Sequence, residues 1–255
     1  MRLGVLGVLG LTAFAAACSY WPSPKERPRP NDPYGGLSAS QVFVEKGVRY
    51  MEDGHYEVAL RDLQRALELD SGNSEAHNAL GVLYQRVDDF EKADASFRKA
   101  LSLKPDNYGA RNNYGRFLCS RGKYVEAFHQ FDQVIGNKLY GQPWIPLTNA
   151  GVCAHSAGKP ADAERYLRQA LEIEPNFAPA LLEMARLSRE TGQYLSARAF
   201  LQRYLGVAGP SPESLILGIE IETALGNPEG AADYRDTLRK RFPSSTKPAG
   251  GGMGS

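Results

Sequence analysis

The sequence predicts an all-α protein, a right-handed α-solenoid of six helix-turn-helix units, and two residue ladders at a fixed interval support that prediction. An alanine recurs every 34 residues, with a single step of 36, at Ala59, Ala93, Ala127, Ala163, Ala197 and Ala231. A second ladder follows the same intervals at Gly54, Asp88, Gly122, Gly158, Gly192 and Gly226. Because both ladders share the same two-residue slip, we interpret them as one repeating unit that buries its apolar face by stacking on its neighbours.

The unit at residues 74–107 shows why each residue type recurs. Gly81 and Ala93 are small, which predicts a close approach of the two helices, where a larger side chain would overpack the contact. Phe97 lies at helical spacing from Ala93 and is expected to fill the space between units. Pro105 cannot continue the second helix and redirects the chain. A helix-turn-helix unit of this length and composition resembles the tetratricopeptide repeat.

The same frame predicts six units, at residues 40–73, 74–107, 108–141, 144–177, 178–211 and 212–245. The third unit departs most from the pattern at its end, where Gly141, Gln142 and Pro143 precede Trp144. In the sixth unit Arg235 replaces the phenylalanine of the second. We interpret this polar helix as a cap that ends the array.

The amino terminus has the pattern of a cleaved export signal, residues 1–17, followed by a cysteine. Its apolar run is too short to span a bilayer, and three alanines precede Cys18. This site resembles the lipobox of bacterial lipoproteins, which implies that Cys18 becomes the first mature residue and carries a lipid. Ser19 implies the outer membrane by the same resemblance. The alternative is an ordinary secretory peptide that is cut nearby.

Two segments without a repeat pattern flank the array. Residues 18–39 are rich in proline and predict a semi-rigid tether, whereas residues 246–255 predict a disordered tail. The 30 basic and 29 acidic residues are interspersed and give a net charge of +1. This balance argues against nucleic acid as a partner.

Cys119 and Cys153 are the cysteines that remain once Cys18 is assigned to the lipid. They lie 34 residues apart, in the first helices of units three and four. These helices are expected to be neighbours, and the periplasm is oxidising, so we expect a disulfide between them. The alternative is a pair of buried free thiols that act as small apolar residues.

The sequence offers no recognisable catalytic or metal-binding constellation. The four histidines fall in four different units, with no pair at the spacing of a metal site on one helix: His55, His77, His129 and His155. We find no glycine-rich phosphate loop, no nucleophile elbow and no acid pair. We therefore expect no enzymatic activity, cofactor, metal or small-molecule substrate.

An apolar strip at the amino-terminal end of the array predicts a partner-binding surface. In the tetratricopeptide family the first helix of each unit lines the concave face. Val44, Val48 and Met51 share one face of the first such helix, and Val82 is placed beside them in the second unit. An apolar strip in an otherwise polar groove usually marks a binding site. We expect these side chains to point away from the core, so that polar replacements leave the fold intact.

Two alternatives to this binding surface stay open. Tyr34 and Leu37 of the tether could fold back over the strip and cover it. Alternatively, Arg116, Arg186 and Arg189 on later first helices could hold an acidic peptide.

Residues 112–131 and 149–171, which surround the two cysteines, resemble the type IV pilus biogenesis lipoproteins of the PilF/PilW family. That family keeps a cysteine pair in repeats three and four, where Cys119 and Cys153 lie. The resemblance implies a pilotin, an outer-membrane lipoprotein with its repeats in the periplasm. Such a protein binds secretin subunits of the type IV pilus and promotes their localisation and multimerisation. The alternatives are a repeat lipoprotein that serves barrel assembly or peptidoglycan synthesis and, more distantly, a hydrolase.

Overall fold

The computed structural model describes residues 36–137 and 140–243. The predicted signal peptide, the lipidation residue Cys18, residues 18–35 of the predicted tether and the predicted tail lie outside the described residues.

The described residues form twelve α-helices and no strand. In chain order they are α1 (Ala39–Glu52), α2 (Tyr56–Leu69), α3 (Ser74–Arg86), α4 (Phe90–Leu103), α5 (Tyr108–Ser120), α6 (Tyr124–Ile135), α7 (Trp144–Ser156), α8 (Pro160–Ile173), α9 (Ala178–Glu190), α10 (Tyr194–Ala208), α11 (Pro212–Ala224) and α12 (Pro228–Arg241). Each odd-numbered helix packs against the next helix as an antiparallel pair, and consecutive pairs stack on each other. The all-α repeat fold that the two ladders predict is therefore confirmed.

Within a pair, a glycine of the first helix lies against a large side chain of the second. A Cβ atom added at Gly81 would lie 2.7 Å from the Phe97 ring, closer than atoms can pack. The same close approach recurs for Gly47 with Leu63, Gly115 with Phe131 and Gly151 with Leu167. The alanine ladder lies on the second helices and is 0–1% exposed throughout. Small residues therefore recur because the two helices of a pair touch there.

The glycine ladder occupies the turns between paired helices. Its glycines have φ values from +68° to +79°, the left-handed region that favours glycine. Asp88 takes the same conformation, with φ of +60°, as the one non-glycine residue with positive φ among the described residues. Aspartate tolerates this region better than most residues do.

The first three pairs are linked by hydrogen bonds between a serine and an asparagine. Ser40 Oγ donates to Ala66 O (2.9 Å), and Asn73 Nδ2 donates to Ser40 Oγ (2.7 Å). Asn73 also caps α3, because its Oδ1 accepts from Ala76 N (3.0 Å). The same contacts recur one unit later with Ser74, Ala100 and Asn107. Each link ties the start of a unit to the first helix of the pair before it.

Candidate partner-binding groove

The first helices of the six pairs line one face of the array, because α1, α3, α5, α7, α9 and α11 contact one another in series. The side chains on this face change in character along the array. It begins with an apolar strip, continues with a pocket lined by two arginines and with paired asparagines, and ends in a network of ion pairs.

The predicted apolar strip is only partly accessible. Val44, Val48 and Val82 are half-buried and pack against the core of the first two pairs. Met51 is only 4% exposed and belongs to that core, together with Leu63 of α2 and other apolar residues of α3. The expectation that Met51 faces the groove is therefore wrong, because α2 and α3 close over the last turn of α1.

A cavity of about 230 Å³ lies between α3 and α5. Its lining residues are Val82, Gln85, Arg86, Asn113 and Arg116. Arg86 Nη1 donates to Met51 O at the end of α1 (2.9 Å), which fixes the guanidinium at the rim. The lining contains two cationic side chains and no acidic one.

Two asparagine pairs connect neighbouring first helices. Asn113 Nδ2 donates to Asn78 Oδ1 (3.1 Å), and Asn149 Nδ2 donates to Asn112 Oδ1 (2.8 Å). In each pair the donor belongs to the unit that follows the acceptor's unit. We did not predict this arrangement from the sequence, although asparagines at the same helical turn of units two, three and four could have indicated it.

The carboxy-terminal part of the groove carries a network of ion pairs. The acidic partners are Glu183 and Glu213 for Arg186, and Glu190 and Glu220 for Arg189. His155 Nε2 also lies 2.5 Å from Glu190 Oε2. Burial raises the pKa of the Glu183 carboxyl, while the nearby Arg186 acts in the opposite direction. Both arginines at this end are thus already neutralised within the chain.

Cys119 of α5 and Cys153 of α7 are joined as a disulfide in the structure, with Cα atoms 5.7 Å apart. That separation is usual for a disulfide. Cys153 is fully buried, and Cys119 packs from the edge of the same apolar cluster. The bridge joins the third pair to the fourth, and the loop that it closes contains the irregular segment between α6 and α7.

Within residues 36–137 and 140–243 no cluster of three or more His, Cys, Asp or Glu side chains could hold a metal ion. No helix there has both the length and the apolar character needed to cross a bilayer.

Paired helices with a groove of first helices define a tetratricopeptide-repeat protein. Family models described as tetratricopeptide repeat match residues 74–107, 96–129 and 154–217, and one described as TPR repeat matches residues 47–88. The type IV pilus assembly protein PilF of Pseudomonas aeruginosa is 31% identical over 211 residues, which cover 83% of this chain and 84% of PilF. This chain belongs to the PilF/PilW family of type IV pilus biogenesis proteins.

Two solved structures of that family have the same architecture. The crystal structure of PilW, a widely conserved type IV pilus biogenesis factor, is 33% identical. It aligns with a TM-score of 0.74 over 82% of this chain and 96% of that one. The structure of Pseudomonas aeruginosa PilF is 31% identical and aligns with a TM-score of 0.69 over 80% of this chain and 92% of that one.

Proposed function

We propose that this protein is a pilotin, an outer-membrane lipoprotein that binds secretin subunits of the type IV pilus. Its membership of the PilF/PilW family is the observation that carries the proposal. In this role the protein performs no reaction. It carries its partner to the outer membrane through its own lipid anchor. It also covers apolar surface of the secretin subunits until they assemble with one another.

The proposed membrane anchor is Cys18, which would carry the lipid after cleavage of residues 1–17. The proline-rich residues 18–39 would then hold the repeats away from the membrane on the periplasmic side. Replacement of Cys18 by alanine should leave the repeats folded and release the protein from the membrane.

The proposed docking surface is the strip of Val44, Val48 and Val82, without the buried Met51. Half-buried valines beside a groove offer apolar area to a partner, yet their inner atoms stabilise the first two pairs. A charge at this strip should therefore weaken binding strongly and should also cost some stability. Any test must separate these two effects.

The test compares Val48→Glu with Val125→Glu. Val125 is 86% exposed on α6, a second helix, so it gives the same chemical change away from the groove. We expect Val48→Glu to weaken secretin binding roughly a hundredfold, or about 3 kcal/mol, and to abolish outer-membrane secretin multimers. Val125→Glu should support normal multimers.

Thermal melting of both variants shows whether Val48→Glu fails by unfolding. Met51→Ala supplies a second control, because it should destabilise the core by about 2–5 kcal/mol without changing the groove surface. Folded Met51→Ala protein should still bind. Normal multimers with Val48→Glu would rule out the strip, and normal multimers after deletion of the gene would rule out the pilotin role. A pull-down from envelope extracts tests the alternative function. If cell-wall synthases or barrel-assembly subunits co-purify in place of secretin subunits, the protein is a scaffold for peptidoglycan synthesis or barrel assembly.

A further inference from the structure

We propose that one edge of the array, formed by the turns of its third, fourth and fifth pairs, binds the surface of an anionic phospholipid bilayer. Val125 and Leu195 supply the apolar contacts, and Lys123 and Lys159 supply the charged ones. The inference goes beyond the proposed function and rests on it only for the lipid on Cys18, which would bring this edge to a bilayer.

The second residue of each second helix is acidic in three units and apolar in the other three. In chain order these residues, all exposed, are Glu57, Glu91, Val125, Ala161, Leu195 and Glu229. An acidic side chain near a helix N-terminus stabilises the helix through its dipole, so the fold itself favours glutamate here. Val125 is 86% exposed and Leu195 is 70% exposed, so neither side chain belongs to the core. Single exposed apolar residues are common, but these replace the favoured residue type in three consecutive units.

Two lysines lie on the same edge, where the fold again favours other residues. Lys123 and Lys159 are the N-cap residues of α6 and α8, and neither side chain caps its helix. Asp89 and Asn227 occupy the equivalent position in the second and sixth pairs and do cap their helices. A cation at a helix N-terminus also opposes the helix dipole. The third and fourth pairs therefore lack two favourable interactions at the same edge.

Contacts between successive pairs place these residues in one row. Tyr124 Oη, at the start of α6, donates to Ser156 O at the end of α7 (3.0 Å). Lys159 Nζ lies 5.9 Å from the centre of the Phe128 ring of α6. The fifth pair stacks on the fourth in the same way, which continues the row to Leu195.

The unpaired charges along this edge are mainly positive. Among the described residues, three of its cations have no ion pair: Arg121, Lys123 and Lys159. Of the four carboxylates beside them, Asp94 pairs with Arg98 (2.6 Å) and Asp162 pairs with Arg165 (3.0 Å). The other two are Glu91 and Glu126. Three cations against two carboxylates leave the edge positive.

Protruding apolar side chains flanked by cations suit a bilayer with anionic headgroups. The apolar groups enter the boundary between headgroups and acyl chains, and the cations meet the phosphates. A second copy of this chain is a poorer partner, because symmetric pairing about the fourth turn would bring the Lys159 side chains of both copies together.

The proposed anchor leaves enough chain for this contact. Residues 18–38, which precede α1, can span at most about 70 Å when extended. Stacked helices lie about 10 Å apart, so the third to fifth turns are within reach of an anchored bilayer.

The first test measures flotation of the full mature chain with Cys18→Ala, which carries no lipid, on vesicles of equal parts phosphatidylglycerol and phosphatidylcholine. Lys123→Gln/Lys159→Gln should weaken binding roughly thirtyfold, because each lysine near an anionic surface contributes about a factor of five. Vesicles of phosphatidylcholine alone should lower binding by at least as much. The matched control, Lys99→Gln/Lys104→Gln, removes the same charge at the opposite end of a second helix and should stay within about twofold.

The second test changes the apolar contacts. Val125→Glu and Leu195→Glu restore the residue type of the other units, so both variants should fold, and each should weaken binding roughly tenfold. The matched control is Ile216→Glu, which makes the same change at a side chain 45% exposed on α11, and it should stay within about twofold. Thermal melting checks that all three variants are folded. Because Cys18 keeps its lipid in the secretin experiment, Val125→Glu protein stays anchored there, and normal multimers remain the expected result.

Several results would overturn the bilayer contact. They are an absence of flotation, equal binding to both kinds of vesicle, and equal losses for Leu195→Glu and Ile216→Glu. Self-association in sedimentation velocity that Leu195→Glu abolishes would assign the edge to a second copy instead. Because the flotation assay contains no secretin, its failure removes this contact and leaves the pilotin proposal intact. Normal multimers after deletion of the gene remove the pilotin role and leave the flotation result intact.

Discussion

Reduction of the bridge between Cys119 and Cys153 should destabilise the middle of the array. The two cysteines are 34 residues apart, so the bridge closes a loop of about 35 residues in the unfolded chain. In the chain-entropy model a loop of this size is worth about 4 kcal/mol. Residual structure in the unfolded chain reduces that value, so it is an upper bound.

The loss should be local because each repeat contacts only its neighbours. The bridge joins α5 to α7, so amide hydrogen exchange should accelerate in the third and fourth pairs after reduction. Helices α1 and α12 should exchange at unchanged rates. Urea unfolding can separate the contribution of the bridge to the unfolding free energy from that of packing. The three samples are the oxidised protein, the reduced protein and the double variant Cys119→Ala/Cys153→Ala. The step from oxidised to reduced protein measures the bridge, and the step from reduced protein to the double variant measures the lost sulfur contacts of the buried Cys153.

Two results would refute this reasoning. Alkylation of both thiols in protein purified from its native cells without reductant would show that the bridge does not form. If the bridge forms but reduction leaves the urea midpoint unchanged, the loop constraint contributes nothing to stability. Faster exchange spread evenly over all twelve helices would contradict the local character of the effect.

Two further predictions concern packing and charge. Gly81→Ala should lower the unfolding free energy by about 1–3 kcal/mol, because the new Cβ would lie 2.7 Å from the Phe97 ring. Gly109→Ala, where the added Cβ meets no atom closer than 3.5 Å, should be neutral or stabilising in the same urea titration. Glu222 pairs with Arg198. Burial raises the pKa of its carboxyl, but hydrogen bonds from Arg198 and Asn227 outweigh burial and hold that pKa below the ordinary value of a glutamate. The pair therefore stabilises the fold fully above that ordinary value, and its contribution is lost as the pH falls through the lowered pKa, so Glu222→Gln should flatten the loss of stability measured in acid.

The sequence was sufficient for the fold because each ladder reflects a local requirement. A left-handed turn needs glycine or a tolerant residue, so Gly54 and Asp88 could be aligned from spacing alone. A close helix contact needs a small residue, so Gly81 and Ala93 could be interpreted in the same way. Both requirements recur once in each unit and depend on nothing outside it.

The groove was predicted less well because exposure there depends on neighbouring units. Met51 follows the same helical spacing as Val44 and Val48, but α3 covers it, and spacing within one helix cannot report that cover. In the sixth pair the close contact moves by one residue. Tyr234 packs against Gly218, while the predicted cap residue Arg235 is exposed. The frame therefore identified the polar cap but not the aromatic residue beside it.

The arginines show why charge on the groove could not be assigned from residue type alone. Arg116, Arg186 and Arg189 are equivalent in the sequence frame as candidates for an acidic peptide. Their difference comes from the surrounding side chains. Two carboxylates of α9 itself and two of α11 pair with Arg186 and Arg189, whereas the pocket beside Arg116 is lined by two amides, another arginine and a valine. A stack of similar repeats can thus carry different binding chemistry in each unit, because the acidic side chains nearby determine which arginines are already paired within the chain.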